Sequence, residues 1–231
     1  MSNNHFSFKQ FTIRQEMCAM KVGTDGTLLG AWAEIPISNN RKRILDIGTG
    51  TGLIALMMAQ RFTDADIVAI DIDEDAVAQA YENIRNSPFA DKITVQNVRL
   101  QDYADGTFDA IVCNPPFFVN ALPCPNEKRS VARHAATLTF HELMSSAFRL
   151  LDNGGELSVV IPTDALPLMN AAAVIAGMCI KRICKVKTTA RKPAKRMLLS
   201  YVKHPIDSMP EETELLIGSN EYRTLTGDFY L

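Results

Sequence analysis

Residues 43–52 read Arg-Ile-Leu-Asp-Ile-Gly-Thr-Gly-Thr-Gly, and this stretch decides the fold. The apolar residues up to Ile47 predict a short buried strand, and the residues after Gly52 predict a helix. Glycines between the two allow a sharp turn and a close approach of the backbone to a ligand. The first N–H groups of the following helix lack helical partners and attract polar or anionic groups. The alternative is a tight strand-to-helix turn without a ligand.

The same alternation of apolar runs and helix-like segments continues along the chain. We predict seven strands, over residues 43–47, 67–70, 93–97, 108–113, 157–161, 180–186 and 197–202. We predict helices over residues 26–33, 52–61, 74–85, 139–151 and 163–177. Thr139 to Glu142 has the form of a capping box, Asn153-Gly-Gly is expected to stop that helix, and Thr163 is expected to cap the next one. The order predicts an α/β fold with a mostly parallel seven-stranded sheet and helices on both faces.

Composition limits the class of protein. The chain has 231 residues, 47% of them hydrophobic, which suits one domain over residues 1–231. The polar start and the short apolar runs favour a cytoplasmic protein with no membrane partner. The five cysteines lack the spacing of a metal site, so we expect no metal, and Cys113 is expected to fill the core. The net charge is −2, yet residues 181–203 are basic and contain no acidic residue, which suits either a solvated strand face or a local phosphate-binding surface.

The glycine spacing separates two classes of cofactor. A dinucleotide-binding loop would need glycine at position 53, which is Leu53 here. The observed pattern, Gly48-x-Gly50-x-Gly52, is similar to the S-adenosylmethionine loop of Rossmann-like class I methyltransferases. This resemblance implies that the cofactor contacts Asp46, Gly48, Thr49, Gly50 and Gly52.

Acidic residues follow the next two predicted strands. Asp71 can accept both hydroxyls of a ribose, with Ile72 beside it, whereas Asp73 directly precedes a helix and fits a cap better. Asp102 can bind the amine of the cofactor's adenine, and the residues beside it are Gln101 and Tyr103. A solvated loop acid is the alternative for Asp102.

The second informative stretch is Phe108 to Phe117, where an apolar strand ends at Asn114-Pro-Pro-Phe. The prolines stiffen the loop and remove two backbone donors. The Asn114 side chain and the Pro115 carbonyl can then accept hydrogen bonds, and Phe117 offers a stacking face. Two acceptors beside a ring suit a planar group with an exocyclic amine, such as adenine. A simple turn is the alternative.

Asn114 to Phe117 resembles the signature of N6-adenine methyltransferases, in which the last residue is often tyrosine. The blocks 8–11, 18–26, 28–32 and 228–231 are similar to those of the bacterial tRNA1(Val) (adenine-37-N6)-methyltransferase family. The resemblance covers nearly the whole chain. It implies methylation of the adenine 3′ of the anticodon, with S-adenosylmethionine as donor and a tRNA anticodon stem-loop as partner.

The resemblance also implies roles for further residues. Residues 1–40 would cover the cofactor and residues 41–231 would form the Rossmann-like core of a monomer. Four residues would lie near the methionine end of the cofactor, namely Lys21, Gly23, Thr24 and Asp25, although Thr24 or Asp25 equally suits a helix cap. Contacts with RNA are expected from Pro116, Phe118, Arg133, Lys192, Lys195 and Arg196, although Arg133 and the basic residues can equally be solvated surface.

Three other functions remain open at this point. A protein glutamine methyltransferase uses a similar Asn-Pro-Pro-aromatic loop on a side-chain amide. An RNA-binding module with a relic cofactor fold would bind no cofactor. A nicotinamide oxidoreductase is disfavoured by Leu53.

Overall fold

The computed structural model describes residues 4–18, 20–36, 41–115, 138–205 and 209–231. The strands are β1 (His5–Ser7), β2 (Thr12–Arg14), β3 (Lys42–Ile47), β4 (Ala65–Asp71), β5 (Ile93–Asn97), β6 (Phe108–Cys113), β7 (Leu151–Pro162), β8 (Cys179–Lys187), β9 (Arg196–Val202) and β10 (Glu211–Leu216). The helices are α1 (Thr24–Trp32), α2 (Leu53–Arg61), α3 (Glu74–Arg85), α4 (Phe140–Leu150), α5 (Leu166–Ala176) and α6 (Asn220–Thr226). Within these residues, no helix is both long enough and apolar enough to cross a membrane.

The main sheet has the strand order β10-β8-β9-β7-β6-β3-β4-β5, and β1 pairs with β2 in a separate hairpin. Five of the seven pairings in the main sheet are parallel, as predicted, and β9 runs antiparallel to both its neighbours. The predicted count of seven strands is wrong, because β10 adds an eighth among the described residues. Its sequence, Glu-Glu-Thr-Glu-Leu-Leu, lacks an apolar alternation because this edge strand is mostly exposed.

Helices cover both faces of the sheet, which confirms that prediction. Along β3, Ile44 packs on one side with α1, α2 and α3, whereas Leu45 packs on the other side with α4 and α5. The two residues are fully buried, as are most residues of β6. Parallel strands that are buried on both faces are apolar almost throughout, which explains why these strands were recognised from the sequence.

Two helix-end predictions need correction. The capping box at α4 is present, since Glu142 N donates to Thr139 Oγ1 (3.2 Å) and Thr139 N donates to Glu142 Oε2 (2.9 Å). The helix nevertheless ends at Leu150, and the predicted stop at 153–155 lies inside β7. A Cβ at Gly155 would lie 2.9 Å from the Phe108 carbonyl oxygen, so this glycine permits close strand approach.

Thr163 does not cap a helix through its side chain. It opens a short 3₁₀ turn, Thr163–Ala165, that leads into α5. Its hydroxyl donates to the Ala194 carbonyl oxygen (2.9 Å). The side chain therefore ties the end of β7 to the loop before β9.

Both ends of the chain pack together against the core. The rings of Phe8 and Tyr230 stack with their centroids 5.9 Å apart, and Phe229 is buried nearby in the same cluster. Lys9 N donates to the Phe229 carbonyl oxygen (2.9 Å). The N-terminal hairpin is thereby fixed by the last residues of the chain.

A buried ion pair joins β7 to β8. Glu156 is 1% exposed and its Oε1 lies 2.5 Å from Arg182 Nη2, while its Oε2 lies 2.7 Å from Lys181 Nζ. The Arg182 guanidinium also lies over the ring of Trp32, 4.1 Å from its centroid. Burial alone would raise the pKa of Glu156, and the two cations bring it below its ordinary value. The carboxylate of Glu156 and the guanidinium of Arg182 therefore stabilise each other in the interior, where an unpaired charge would be destabilising.

We predict that Arg182→Met lowers the free energy of unfolding at pH 7 by about 3 kcal/mol, because it leaves Glu156 buried with only Lys181. The pKa of Glu156 is depressed in the folded protein, so the stabilisation is present above the unfolded pKa and is lost as the pH falls through the folded value. The difference in the free energy of unfolding between the wild type and the variant should therefore become smaller at acidic pH. Chemical denaturation at several pH values measures it.

The matched control is Lys185→Met, which breaks an exposed pair with Glu212 between β8 and β10. It should cost less than about 1 kcal/mol. Equal losses in the two variants would contradict a special role for the buried pair.

Candidate active site

Three polar residues meet at one edge of the main sheet because their strands are adjacent and parallel. Asp46 lies near the end of β3, Asp71 ends β4, and Asn114 directly follows β6. The register places Ile47 opposite both Ile70 and Cys113. The carboxyl ends of these strands therefore form one site, where open α/β sheets usually bind ligands.

The glycine loop after β3 is held by the end of β4. Gly48 N and Thr49 N donate to the Ile70 carbonyl oxygen (2.9 and 3.0 Å), and Gly50 N donates to Asp71 Oδ2 (2.9 Å). Gly48 and Gly50 have φ values of 66° and 54°, which side-chain-bearing residues rarely adopt. A Cβ at Gly48 would meet no heavy atom of the described residues within 4 Å. The loop therefore presents bare backbone to open space.

Gly52 has a different environment from the first two glycines. Its φ is 81°, and a Cβ there would lie 3.4 Å from side-chain atoms of Ala80 and Ile84. Its bare Cα lets α3 pack closely against the start of α2. Contact of Gly52 with a cofactor stays a prediction.

Asp71, Ile72 and Asp73 follow one another in sequence but have different contacts. Asp71 accepts hydrogen bonds from Gly50 N and from Asp73 N, the latter at 3.1 Å. Asp73 accepts from Asp75 N (3.0 Å) and caps α3, as the sequence indicated. Ile72 is 47% exposed although it is a large apolar residue. An exposed isoleucine beside a half-buried carboxylate suits a nucleoside, whose ring is apolar and whose ribose is polar.

Asp46 is the most deeply buried charge at the site. Its Oδ2 accepts hydrogen bonds from Thr49 Oγ1 (2.6 Å) and from Ala55 N (3.1 Å). Burial raises the pKa of Asp46 to about 7, and the nearby Asp71 charge adds to the shift. Its Oδ1 is buried and has no hydrogen-bond partner among the described residues. A buried acceptor without a partner is costly unless a bound molecule supplies the donor.

The loop after β5 has exposed polar side chains and one buried aromatic side chain, Tyr103. Gln101 and Asp102 are exposed, whereas Tyr103 is 3% exposed and packs on Phe108. Arg149 from α4 donates to the Tyr103 and Leu100 carbonyl oxygens (2.7 and 3.3 Å). The Tyr103 ring therefore holds the loop in place from the core side, and Asp102 and Gln101 offer the side chains a ligand can reach.

Asn114 sits among elements from three parts of the chain. Its Oδ1 is buried without a hydrogen-bond partner among the described residues, and its Nδ2 lies 3.8 Å from Met20 Sδ. A Cβ at Gly26 in α1 would lie 4.0 Å from the same Nδ2. Pro115 is buried. Four predicted site residues lie outside the described residues, namely Pro116, Phe117, Phe118 and Arg133.

The start of α1 borders the site, as the resemblance implied for residues 21–25. The N-cap is Gly23, without a side-chain hydrogen bond, so the alternative in which Thr24 or Asp25 caps this helix is wrong. Thr24 and Lys21 are exposed. Their contact with a cofactor stays a prediction.

Asp25 and Arg196 form an ion pair, with Arg196 Nε 2.8 Å from Asp25 Oδ2. The sequence interpretation assigned one to the cofactor and the other to RNA, and the structure joins them to each other instead. Arg196 begins β9, so the pair links α1 to the basic loop before that strand. Lys192 and Lys195 are exposed in that loop. Lys187 is paired with Glu214 at 2.6 Å, which neutralises part of the basic stretch.

The N-terminal chain crosses the site, and sequence reasoning missed the residues that matter there. The negative charges of Asp71, Asp73 and Asp75 act on the Cys18 thiol, and together with burial, the larger cause, they raise its pKa to about 11. Met20 reaches Asn114. Met20 thus brings the N-terminal chain to the end of β6, which is next to β3 and its glycine loop in the sheet order.

The donors and acceptors of the site suit an organic cofactor. The site offers the bare glycine backbone, the half-buried Asp71, and the Asp46 and Asn114 oxygens, which have no hydrogen-bond partner in the described ranges. These groups fit a molecule with polar groups along its length. In the described part of the chain, no cluster of three histidine, cysteine or acidic side chains could hold a metal ion.

We predict a pH dependence of stability from Asp46. Its pKa is raised in the folded protein, so its contribution is fully present below about pH 4 and is lost as the pH rises through about 7. Asp46→Asn lacks this ionisation. The stability of the wild type relative to the variant should fall between these pH values, by up to about 1.4 kcal/mol per pH unit. Urea denaturation of both ligand-free proteins measures the difference, and parallel pH curves would contradict it.

Comparisons with known proteins agree with this geometry. A family model described as the methyltransferase small domain matches residues 31–171. The fold is similar to a predicted O-methyltransferase from Agrobacterium tumefaciens, with a TM-score of 0.66 and 19% identity over 89% of this chain and 96% of that one. This likeness shows an α/β methyltransferase fold.

Relatives of known name match along the whole chain. A tRNA1(Val) (adenine(37)-N6)-methyltransferase of Phocaeicola vulgatus is 47% identical over 100% of this chain and 99% of its own length. A protein of the same name from Histophilus somni is 40% identical, over 98% of this chain and 97% of its own length. With full-length identity at this level, the chain belongs to the tRNA1(Val) (adenine(37)-N6)-methyltransferase family.

Proposed function

We propose that this protein transfers a methyl group from S-adenosylmethionine to the exocyclic N6 of adenine 37 in tRNA1(Val). The family and the fold imply the cofactor, and the names of the full-length relatives support the nucleotide. The observation that carries the chemistry is Asn114, whose buried Oδ1 lacks a hydrogen-bond partner within the described part of the chain.

The cofactor would be held by the groups around the loop. The Gly48 to Gly50 backbone, Asp71 and Ile72 would hold its nucleoside, Asp102 its adenine amine, and the start of α1 its methionine end. When bound, it supplies a methyl group on a sulfonium, and the neutral thioether leaves as that bond breaks.

The role of the protein is to activate the N6 amine of adenine, which is a weak nucleophile. The N6 lone pair of adenine is spread into the ring, so the amine reacts poorly when it is planar. Asn114 Oδ1 and the Pro115 carbonyl would accept its two hydrogens and direct the lone pair outward. Fixed acceptors also stabilise the positive charge that develops on N6 during attack. The N–C bond then forms, and N6 releases its extra proton to solvent, so no base is required beforehand.

The remaining residues of the site would orient the RNA. Phe117 would stack on the target base, a contact worth about 1–3 kcal/mol. Lys192 and Lys195 would contact phosphates. Residues 1–40 would cover the cofactor, and we expect a cytoplasmic monomer.

The decisive experiment incubates the purified protein with labelled S-adenosylmethionine and either total tRNA or a release factor. We predict that wild-type protein forms N6-methyladenosine at position 37 of tRNA1(Val), detected by mass spectrometry. Label in protein alone would identify a glutamine methyltransferase.

Asn114→Ala should lower the rate of methylation at least about 100-fold, because it removes a placed hydrogen-bond acceptor, while cofactor binding persists. Loss of cofactor binding in the variant would make Asn114 a structural residue.

We predict that Lys192→Ala combined with Lys195→Ala weakens tRNA binding and reduces its salt dependence. Each lost phosphate contact should lower the slope of log K against log salt by about 0.7–0.9. Filter binding at several salt concentrations measures the slope. Arg196 is left intact because it pairs with Asp25.

The control carries the same change in charge. Lys185 and Lys187 are paired with Glu212 and Glu214, so their double replacement by alanine should leave the salt slope nearly unchanged. Equal slopes for the two double variants would contradict a specific phosphate surface around Lys192.

A further inference from the structure

Asn83 joins three pieces of backbone that are distant in sequence. It lies in α3 and is 2% exposed. Its Oδ1 accepts a hydrogen bond from Arg14 N (2.9 Å), and its Nδ2 donates to the carbonyl oxygens of Arg14 and Thr51 (2.8 Å each). Thr51 lies inside the glycine loop. One buried amide thus holds both the end of β2 and the loop that would bind the cofactor.

A second buried amide extends this attachment along the chain. Gln79, one turn earlier in α3 and 1% exposed, accepts hydrogen bonds from Glu16 N and Met17 N (both 3.2 Å). Gln15 Oε1 accepts a hydrogen bond from Val22 N (2.8 Å). We call residues 14–18 and 20–22 the crossing segment, since they lead from the end of β2 to Met20 at the site described above.

The crossing segment reaches the residue proposed to hold the substrate. Met20 Sδ lies 3.8 Å from Asn114 Nδ2. Met17 and Met20 are 44% and 53% exposed, so this segment has little core of its own to hold it. Its hydrogen bonds to α3 therefore help to fix its position, together with the bond that Gln15 N donates to the Asn4 carbonyl oxygen and the packing of Val22 on the core.

We propose that Asn83 is a positioning residue that couples the glycine loop to the crossing segment, and that this coupling sets the affinity for the cofactor. The proposal rests on the proposed function. Asn83 contacts the cofactor only through the two pieces of backbone that it holds. Because both pieces are ordered before the cofactor arrives, binding does not include the entropic cost of ordering them.

The geometry distinguishes this role from ordinary helix packing. An apolar residue at position 83 would fill the same space but remove the partner of the buried Thr51 carbonyl oxygen and of the part-buried Arg14 N–H and carbonyl groups. Aspartate would keep the bond from Arg14 N and lose both donated bonds. We therefore expect Asn83→Asp to behave like Asn83→Ala, although it is closer in shape.

The test compares Asn83→Ala and Asn83→Asp with Glu82→Ala as the matched control. Glu82 lies on the same helix and pairs with the same residue, since its Oε1 is 3.1 Å from Arg14 Nη1, but both side chains are exposed. Binding of S-adenosylhomocysteine is measured by calorimetry, and amide hydrogen exchange is followed over residues 14–22 and 48–52.

We expect both Asn83 variants to bind S-adenosylhomocysteine about tenfold more weakly, as loss of the anchoring hydrogen bonds suggests. Exchange should accelerate in the crossing segment and in the glycine loop together. KM for S-adenosylmethionine should rise by a similar factor, while the affinity for tRNA stays within about twofold. Glu82→Ala should match the wild type in each measurement.

Two results would overturn the proposal. One is unchanged S-adenosylhomocysteine affinity in the Asn83 variants. The other is an equal decline of cofactor affinity, tRNA affinity and thermal stability, which would mark a purely structural residue. If neither Asn83 variant folds, Gln79→Ala is tested in their place. Gln79 bonds to Glu16 and Met17 of the crossing segment, whereas the bond to Thr51 of the glycine loop belongs to Asn83. Gln79→Ala should speed exchange in the crossing segment and leave residues 48–52 unchanged, and unchanged exchange in both regions would count against the proposal.

The test of the Asn83 coupling can fail or succeed independently of the test of tRNA methylation. S-adenosylhomocysteine binding and hydrogen exchange require no RNA. A wild-type protein that binds this probe yet methylates no tRNA would refute the substrate and leave the coupling intact. A wild-type protein that does not bind the probe would refute both.

Discussion

The parallel pairing of β3 with β4 and β6 is the constraint on which the site depends. Parallel strands end at the same edge, so the residues that terminate each of them become neighbours without any long side chain having to reach across. The Asp71 carboxylate accepts a hydrogen bond from the Gly50 N–H, and we propose that it also binds the ribose of the cofactor. The glycine loop keeps its left-handed turns because the end of β4 holds it through the Ile70 carbonyl oxygen. A shift in this register would displace Asp71, the loop and Asn114 together.

Polar side chains supply the connections that the sheet itself does not make, and those of Asn83 and Gln79 are buried. Asn83 and Gln79 attach the N-terminal chain to α3, Arg149 holds the loop after β5, and Asp25 with Arg196 links α1 to β9. In the interior such groups are stable only when their hydrogen bonds are complete. Five buried side-chain atoms of the described residues lack a hydrogen-bond partner, and the Asp46 and Asn114 oxygens are the two at the carboxyl ends of β3 and β6, where we propose that ligands bind.

Much of the fold could be predicted because its central strands are buried on both faces. The bounds of α3, β5 and β6 agree with the periodicity of their apolar residues, and Asp73 was recognised as a cap from its place before a helix. The edge strand β10 was missed because an exposed strand with three glutamates carries no such signal. The glycines at 154–155 were interpreted as a helix stop, since their use in close strand approach depends on Phe108, far away in sequence.

The candidate site divides in the same way. Asp46, the glycines, Asp71, Asn114 and Pro115 could be proposed from the sequence because each lies near or shortly after the carboxyl end of a strand, and the chain order of strands and loops is a local property. The sequence by itself determined these elements, since backbone conformation and apolar periodicity depend on near neighbours. Only the tertiary structure decided that Asn83 holds Arg14 and Thr51, that Met20 meets Asn114, and that Arg196 pairs with Asp25 across 171 positions. Such contacts leave no periodic trace in the chain, because they depend on how distant elements pack.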